Sequence, residues 1–308
     1  MDLGFNQAGF NIEWANEYDK SIWETYELNH PHTTLVRGDI TKIKSKDIPE
    51  CLGIIGGPPC QSWSEAGSAK GLTDPRGQLF MEYIRVIKDK QPLFFVAENV
   101  SGFLHQKHSK AFFKIINQFK TLGYTLSFKL VNAHDYNVPQ DRRRVIIVGY
   151  RTELGITFKF PEVDPSKPTL KTTISGLPHP CKYPKKAIIS NHEYLSMDFS
   201  SRYMSRNRVR KWTDPSFTIP ATARHVPLHP SAGQMLKVGT DKFIFAQKSV
   251  RRLSVRECAR IQTFPDTFTF KYTNISDGYK MVGNAVPVNL AKAIASQIFA
   301  DLAQLGHV

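Results

Sequence analysis

The first half of the chain alternates short apolar runs with amphipathic stretches, and this alternation limits the possible folds more than any other feature. Short apolar runs predict buried strands, and apolar residues at helical spacing predict helices over about 20–29, 78–90 and 108–122. Strands that are apolar throughout and alternate with helices predict a mostly parallel sheet covered on both faces, an α/β fold. The candidate strands are Ile12–Ala15, Thr34–Val36, Gly53–Ile55, Leu93–Ala97, Thr125–Leu130 and Val145–Gly149.

The alternation of apolar runs and amphipathic stretches ends near residue 161, where prolines become frequent and a basic segment follows. We expect a separate, loop-rich module over 165–250. Helical patterning resumes in SVRECARIQTFP, and a final helix from about 288 to 304 is expected to return to the first domain. The predicted division is therefore a larger domain of residues 1–164 plus 270–308, a module of residues 165–250, and a connecting helix within 251–269.

The chain is strongly basic, with a formal net charge of +14 among 308 residues. Five of its basic residues are clustered with two aromatic residues, a combination that suits a polyanion with bases that can stack. The cluster comprises Arg202, Tyr203, Arg206, Arg208, Arg210, Lys211 and Trp212. The four cysteines are scattered and form no CxxC pair, which argues against a disulfide framework or a structural zinc site. No signal peptide or membrane-spanning stretch is recognisable, so we expect a reduced, cytosolic protein without a membrane partner.

Four short stretches carry residues suited to chemistry: GGPPCQS, ENV, QDRRR and GNAVP. The first places Cys60 on a stiff turn at the end of a predicted buried strand, as a nucleophile requires. Each stretch alone has an ordinary structural explanation: a rigid turn, a paired buried carboxylate at Glu98, or an exposed strand edge at QDRRR. A redox role for Cys60 is a further alternative, but it leaves Glu98 and QDRRR unexplained.

Together and in this order, the four stretches resemble the DNA cytosine-5 methyltransferases, and the resemblance covers nearly the whole chain. It implies a Rossmann-like, S-adenosylmethionine-dependent methyltransferase domain with a smaller DNA-recognition domain. The Cys60 thiolate would add to C6 of cytosine and so make C5 able to attack a methyl group. Glu98 would recognise the base and stabilise charge at N3, while Arg142 and Arg144 would place positive charge near O2. By family analogy, Arg142 is expected to be the closer of the two to the base.

The resemblance also implies the residues that bind S-adenosylmethionine, and it implies no metal. Glu17 would hold the ribose hydroxyls, Tyr18 would pack on the adenine, and Asp39 would accept from its amino group. Further donor contacts are expected at Ile40, Pro58 and Asn284. A lone Asp or Glu after a strand is often only a helix cap, so the capping explanation stays open.

Relatives of this kind act on a base flipped out of duplex DNA, which costs a few kcal/mol. The loop after Cys60 would supply Gln61, Ser62, Ser64 and Arg76. The 165–250 module would read the site, because arginine paired with guanine is the commonest specific base contact. Richness in arginine favours a G-containing site, and MSRNRVRKW…PLHP resembles members that modify GGCC. The arginines expected to bind DNA are Arg206, Arg208, Arg210 and Arg224.

The family setting implies a bacterial restriction–modification system, with a nuclease of the same specificity as functional partner. We expect a monomer that lies in the cytoplasm and associates with the nucleoid when bound to DNA. Two alternatives remain: a relative that methylates transfer RNA, and a DNA-binding homologue without catalysis. The second arises because MDLGFNQAGF resembles only the helix after the family's first strand and glycine-rich turn. We expect an upstream segment carrying that strand to raise donor affinity and melting temperature together.

Overall fold

The structure, a computed structural model, describes residues 1–58, 75–106, 109–185 and 187–308, with residues 75–78 described by their backbone alone. The helices are α1 (Asp2–Gln7), α2 (Lys20–Asn29), α3 (Pro75–Lys90), α4 (Ser109–Thr121), α5 (Leu170–Ile174), α6 (Val255–Ile261), α7 (Ile275–Asn284) and α8 (Val288–Gln304). The strands are β1 (Trp14–Glu17), β2 (Thr34–Arg37), β3 (Gly53–Gly56), β4 (Phe94–Val100), β5 (Tyr124–Asn132), β6 (Gln140–Asp141), β7 (Arg143–Arg151), β8 (Cys181–Lys182), β9 (Glu193–Tyr194), β10 (Ser216–Phe217), β11 (Leu236–Gly239) and β12 (Lys242–Ile244).

A four-stranded sheet forms the centre of the first half, in the order β3-β4-β7-β5. Strands β3 and β4 are parallel, whereas β7 is antiparallel to both β4 and β5. Strands β1 and β2 are parallel and form a sheet of their own. The reversal of β7 matters for the site, because it brings the start of β7 beside the end of β4.

Both faces of the four-stranded sheet are buried, as its apolar strands predict. On one face Phe94 and Val96 pack in a core with α1 and α8, which contribute Phe5 and Leu290 among others. On the other face Phe95 and Ala97 pack with α3 and α4. Successive residues of a strand point to opposite faces, so one apolar run serves both cores.

The second half of the described chain packs around α6 and α7. Leu170 and Val226 from the predicted module share a core with Leu253, which precedes α6, and with Cys258 and other residues of these helices. Helix α6 begins with a capping box, in which Ser254 accepts from the backbone NH of Glu257 and Glu257 accepts from that of Ser254. Strand β10 pairs in parallel with β6, so the module is also joined to the first half by backbone hydrogen bonds.

The predicted strands and helices of the first half are present with shifted ends, but the four-stranded sheet is not mostly parallel as predicted. Of its four described strands, only β3 and β4 pair in parallel, because β7 runs antiparallel to both of its neighbours. The predicted strand Ile12–Ala15 is displaced by two residues, to Trp14–Glu17, and the strands over 94–100, 124–132 and 143–151 are longer than predicted. Helix α1 confirms the helical character predicted for the opening residues. Among the described residues, no helix combines the length and apolarity needed to cross a membrane.

Candidate active site

An ion pair between Glu98 and Arg144 lies at the edge where β4 ends and β7 begins. Arg144 Nε is 2.8 Å from Glu98 Oε1, and the two side chains are only 13% and 12% exposed. The strand register explains the contact: Arg144 lies opposite Val100 and Ile146 lies opposite Glu98, so Glu98 and Arg144 are diagonal neighbours on one face. A carboxylate and a guanidinium are therefore held together in a mostly buried position.

Arg142 lies two residues before Arg144, but its guanidinium binds other partners. It donates from Nη1 to Ile219 O at 3.2 Å, and from Nη2 to Gly283 O at 3.0 Å and Ala285 O at 3.1 Å. Burial, reinforced by the charge of Arg144, lowers the pKa of Arg142 to about 9, which leaves it a cation at neutral pH. We expected Arg142 to be nearer the base than Arg144, but Arg144 is the one paired with Glu98.

The backbone leading to Cys60 is fixed against Glu98 and Asn99. Asn99 is 5% exposed and donates from Nδ2 to Pro58 O at 3.0 Å. A Cβ built on Gly57 would lie 3.5 Å from Glu98 Oε2, so the Gly-Pro backbone runs directly beside the carboxylate. Cys60, Gln61, Ser62 and Ser64 lie outside the described residues, and so does the side chain of Arg76.

Asn99 was not singled out as a site residue in the sequence, and we predict that Asn99→Asp lowers kcat by about 10-fold to 100-fold. The substitution keeps the shape of the side chain, removes the donor to Pro58 O and adds a charge. A small displacement of a catalytic group can reduce rates by about 10²-fold. Steady-state methyl transfer to DNA, the activity that the sequence resemblance implies, measures this. An unchanged kcat would contradict a positioning role for Asn99, and Asn117→Asp, on the exposed face of α4, is the matched control.

The acidic residues predicted to bind the donor lie together at the ends of β1 and β2. Glu17 Oε1 accepts from the backbone NH of Asp19, and burial raises the pKa of Glu17. Asn16 donates from Nδ2 to Val36 O and to Gly38 O, both at 2.9 Å, which ties the turn before Asp39 to β1. Asp39 accepts from the backbone NH of Thr41, so this carboxylate does cap a short 3-10 turn.

The other predicted donor residues differ in accessibility. The ring of Tyr18 is 73% exposed, an unusual position for a large aromatic side chain. Asn284 is exposed at the end of α7, Ile40 is half-buried at the start of the turn capped by Asp39, and Pro58 is buried. Lys280 of α7, which the sequence analysis missed, lies 2.9 Å from Asp19 Oδ2 and 3.0 Å from Asp277 Oδ1. It therefore links the Glu17 loop to α7.

The four predicted DNA-binding arginines fall into two groups. Arg206 and Arg224 are exposed. Arg208 is 8% exposed, donates from Nε to Tyr203 O at 2.8 Å and lies over the Tyr203 ring. Arg210 is half-buried, with its guanidinium carbon 4.1 Å from the centroid of the Phe217 ring and Nη2 3.5 Å from Asp141 Oδ2. In this structure the exposed pair is free to approach DNA, whereas Arg208 and Arg210 also support the module itself.

No group of three or more His, Cys, Asp or Glu side chains that could hold a metal ion occurs within the part of the chain that the structure describes. The chemistry available at the site is that of a carboxylate, guanidinium groups and, from the sequence, a thiol.

Comparison with protein families identifies the family to which the chain belongs. Residues 1–300 match the family described as C-5 cytosine-specific DNA methylase. The chain belongs to this family. It is a DNA (cytosine-5-)-methyltransferase, and its relatives include restriction–modification enzymes.

Individual relatives support this assignment over almost the full chain. The type II methyltransferase M.MthTI of Methanothermobacter thermautotrophicus is 52% identical over 98% of this chain and 94% of the relative. The type II methyltransferase M.BsuRI of Bacillus subtilis is 40% identical over 95% of this chain and 69% of the relative.

Among solved structures, DNMT2 of Spodoptera frugiperda superposes with a TM-score of 0.69 over 98% of this methyltransferase and 95% of that chain, at 17% identity. That likeness concerns the fold, and it confirms the predicted α/β methyltransferase fold.

Proposed function

We propose that this methyltransferase transfers a methyl group from S-adenosylmethionine to C5 of a cytosine flipped out of duplex DNA. In this proposal it is the methylase of a type II restriction–modification system. The family match over residues 1–300 carries the proposal. The mostly buried Glu98–Arg144 pair beside the backbone that leads to Cys60 supports it, because the chemistry needs these three groups together.

The Cys60 thiolate adds to C6 of the cytosine ring and forms a carbon–sulfur bond. The displaced electron pair moves toward N3 and O2 and makes C5 nucleophilic. Glu98 shares a proton with N3 and accepts from the exocyclic amine. Arg144 offsets negative charge at O2, a role that its contact with Glu98 makes more suitable for Arg144 than for Arg142. C5 would take the methyl group and release S-adenosylhomocysteine. A base then accepts the C5 proton, the C5–C6 double bond re-forms and Cys60 is expelled as thiolate.

The residues at the ends of β1 and β2 fit the adenosine part of S-adenosylmethionine, which would supply the methyl group as an electrophile. Glu17 offers a carboxylate to ribose hydroxyls, and its Oε1 already accepts from the backbone NH of Asp19. Tyr18 offers an exposed ring for the adenine. Asp39 accepts from the backbone NH of Thr41 through Oδ1 and would also accept from the adenine amino group. Asn284 would close this site from α7.

Residues 165–250 would act as the target-recognition domain, between a catalytic domain of residues 1–164 plus 270–308 and the connecting segment 251–269. We propose a GC-rich target, with GGCC as the specific candidate. The restriction–modification setting implies a nuclease of the same specificity as functional partner, and a cytoplasmic, DNA-associated location. A monomer suffices for the chemistry, because this one chain supplies all of the proposed site residues.

Transfer of a labelled methyl group tests this function directly. The chain and labelled S-adenosylmethionine are incubated with a duplex containing GGCC, a duplex lacking it, and transfer RNA. We expect label at C5 of cytosine in the GGCC duplex. Label in transfer RNA alone would support the RNA-modifying alternative, and no label in any substrate despite DNA binding would support a non-catalytic homologue.

We predict that Arg224→Ala reduces discrimination between the two duplexes by about 5-fold to 150-fold, because one good arginine–guanine contact is worth about 1–3 kcal/mol. Arg224 is exposed on a short turn after β10, so its loss should leave the fold intact. Values of kcat/KM on both duplexes measure the effect.

An equal loss on both duplexes would show instead that Arg224 contacts phosphate. Arg208→Ala provides the comparison: since Arg208 is buried against Tyr203, we expect it to lower stability as well as binding.

A further inference from the structure

Three buried polar side chains meet where the predicted recognition domain joins the catalytic domain. Gln140 and Gln262 are 0% exposed and Arg142 is 2% exposed. Gln140 lies in β6 and Arg142 directly follows that strand, whereas Gln262 caps the C-terminal end of α6, 122 residues after Gln140 in the sequence. Buried hydrogen-bonded networks specify one arrangement of the segments they join. Both glutamine side chains are hydrogen-bonded here, whereas Arg142 bonds through Nη1 and Nη2 and its Nε has no partner among the described residues.

The two glutamines bridge the recognition side and the donor side. Gln140 Oε1 accepts from the backbone NH of Ile219 at 2.9 Å, and Gln140 Nε2 donates to Gln262 Oε1 at 2.9 Å. Gln262 Nε2 in turn donates to Val282 O at 2.8 Å and to Ala285 O at 3.3 Å. A continuous chain of hydrogen bonds therefore runs from Ile219 to the turn at the end of α7.

The same two segments also touch directly. Arg142 bonds to Ile219 O on one side and to Gly283 O and Ala285 O on the other. A Cβ on Gly283 would lie 2.3 Å from the carbonyl carbon of Pro220, so only glycine allows this approach. These contacts join residues 219–221 and residues 282–285 into one bonded frame, so a shift of either segment also displaces the other.

Each end of this frame continues into a predicted ligand contact. Five residues after Ile219 lies the exposed Arg224, a candidate for reading DNA. Between Gly283 and Ala285 lies the exposed Asn284, a candidate for contacting the donor. Strand β10, on the side of the predicted recognition domain, pairs through its backbone with β6. Thr218 Oγ1 also donates to Asp141 O at 2.7 Å. These bonds attach the predicted recognition domain to β6, which lies just before Arg144 in the sequence.

We infer that Gln140 and Gln262, together with Arg142, are positioning residues that make donor binding and target-DNA binding mutually favourable. The inference rests on the proposed function, since it takes Asn284 as a donor contact and Arg224 as a DNA contact. Each ligand holds one end of a shared buried frame, so the first ligand aligns the segment that the second must bind. Coupling of this kind is reciprocal: DNA must tighten donor binding by the same factor.

A binding cycle with S-adenosylhomocysteine, the demethylated donor, tests the inference. The Kd for target duplex is measured with and without saturating S-adenosylhomocysteine, in the intact chain and in Gln140→Leu, Gln262→Leu and the double variant. We expect at least about 5-fold tightening in the unaltered chain, in the usual range for linked sites. In each single variant the ratio should fall to within about 2-fold of one.

The double variant should behave like either single variant, because both glutamines act in one connected network. Gln118→Leu, on α4 and outside the network, is the matched control and should keep the ratio of the unaltered chain. Thr218→Val removes a bond of an exposed side chain to the same frame, and it should lower the ratio even if the glutamine variants fold poorly.

A ratio near one in the unaltered chain would overturn the inference. A ratio that stays high in the folded glutamine variants and in Thr218→Val would overturn it as well. If the unaltered chain methylates DNA while either result holds, only this inference fails. If it methylates no cytosine at all, the proposed function fails too.

Discussion

Replacing Cys60 by serine should lower methyl transfer to DNA by at least about 10³-fold, because a hydroxyl is a far weaker nucleophile than a thiolate near neutral pH. DNA binding should persist, since the substitution only exchanges the side-chain sulfur for oxygen and changes no basic residue. Incorporation of labelled methyl groups into the duplex, beside a DNA-binding titration, measures both quantities.

Trapping on DNA that carries 5-fluorocytosine sharpens this test. Fluorine at C5 cannot leave as a proton does, so the adduct with Cys60 should remain covalent in the presence of the donor. We expect a covalent complex with the unaltered chain and none with Cys60→Ser. Cys181→Ser, at a half-buried cysteine in the predicted recognition domain, is the matched control. Trapping by Cys60→Ser would refute the nucleophile assignment.

Replacing Glu98 by glutamine should lower kcat by about 10²-fold to 10⁴-fold, the usual contribution of a positioned acid–base group. The amide keeps the shape of the carboxylate, but it cannot share a proton with N3. It also leaves the guanidinium of Arg144, only 13% exposed, without its ionic partner. Single-turnover methyl transfer, with stability followed by urea unfolding, separates the chemical effect from the structural one.

Glu153→Gln makes the same substitution in an exposed ion pair. Glu153 Oε2 lies 2.8 Å from Arg151 Nη2, but the two side chains are 58% and 31% exposed, so its removal should change neither kcat nor stability by much. Retention of full activity by Glu98→Gln would show that the carboxylate neither recognises nor activates the base.

The sequence predicted the elements well where periodicity was strong. Helix α2 and the final helix lie at 20–29 and 288–304 as expected, because their apolar spacing was clear. Helix α7, in contrast, was not predicted. It contains Gly278 and Gly283, and glycine is a poor helix former. Tertiary contacts explain why glycine is needed: a Cβ on Gly278 would lie 2.5 Å from the Tyr272 ring.

Side-chain partners were harder to predict than elements. The motif QDRRR identified two useful arginines, but their roles depend on the antiparallel placement of β7 and on backbone carbonyls more than 70 residues away in sequence. Similarly, four arginines of the recognition segment look alike in sequence, yet Arg208 is buried over Tyr203 while Arg206 is exposed. Composition indicates that cations are needed, but it does not indicate which of them are already bonded within the fold.

The pairing of β10 with β6 bears on any attempt to graft a new specificity onto this scaffold. A chimaera made by exchanging residues 165–250 as a cassette would also exchange Ser216–Phe217, which pair with Gln140–Asp141 of the host, and Pro220, which abuts Gly283. The host should therefore keep residues 216–221, with the fusion junctions placed on either side of this segment. We expect such hybrids to be active more often than hybrids joined only at residues 165 and 250.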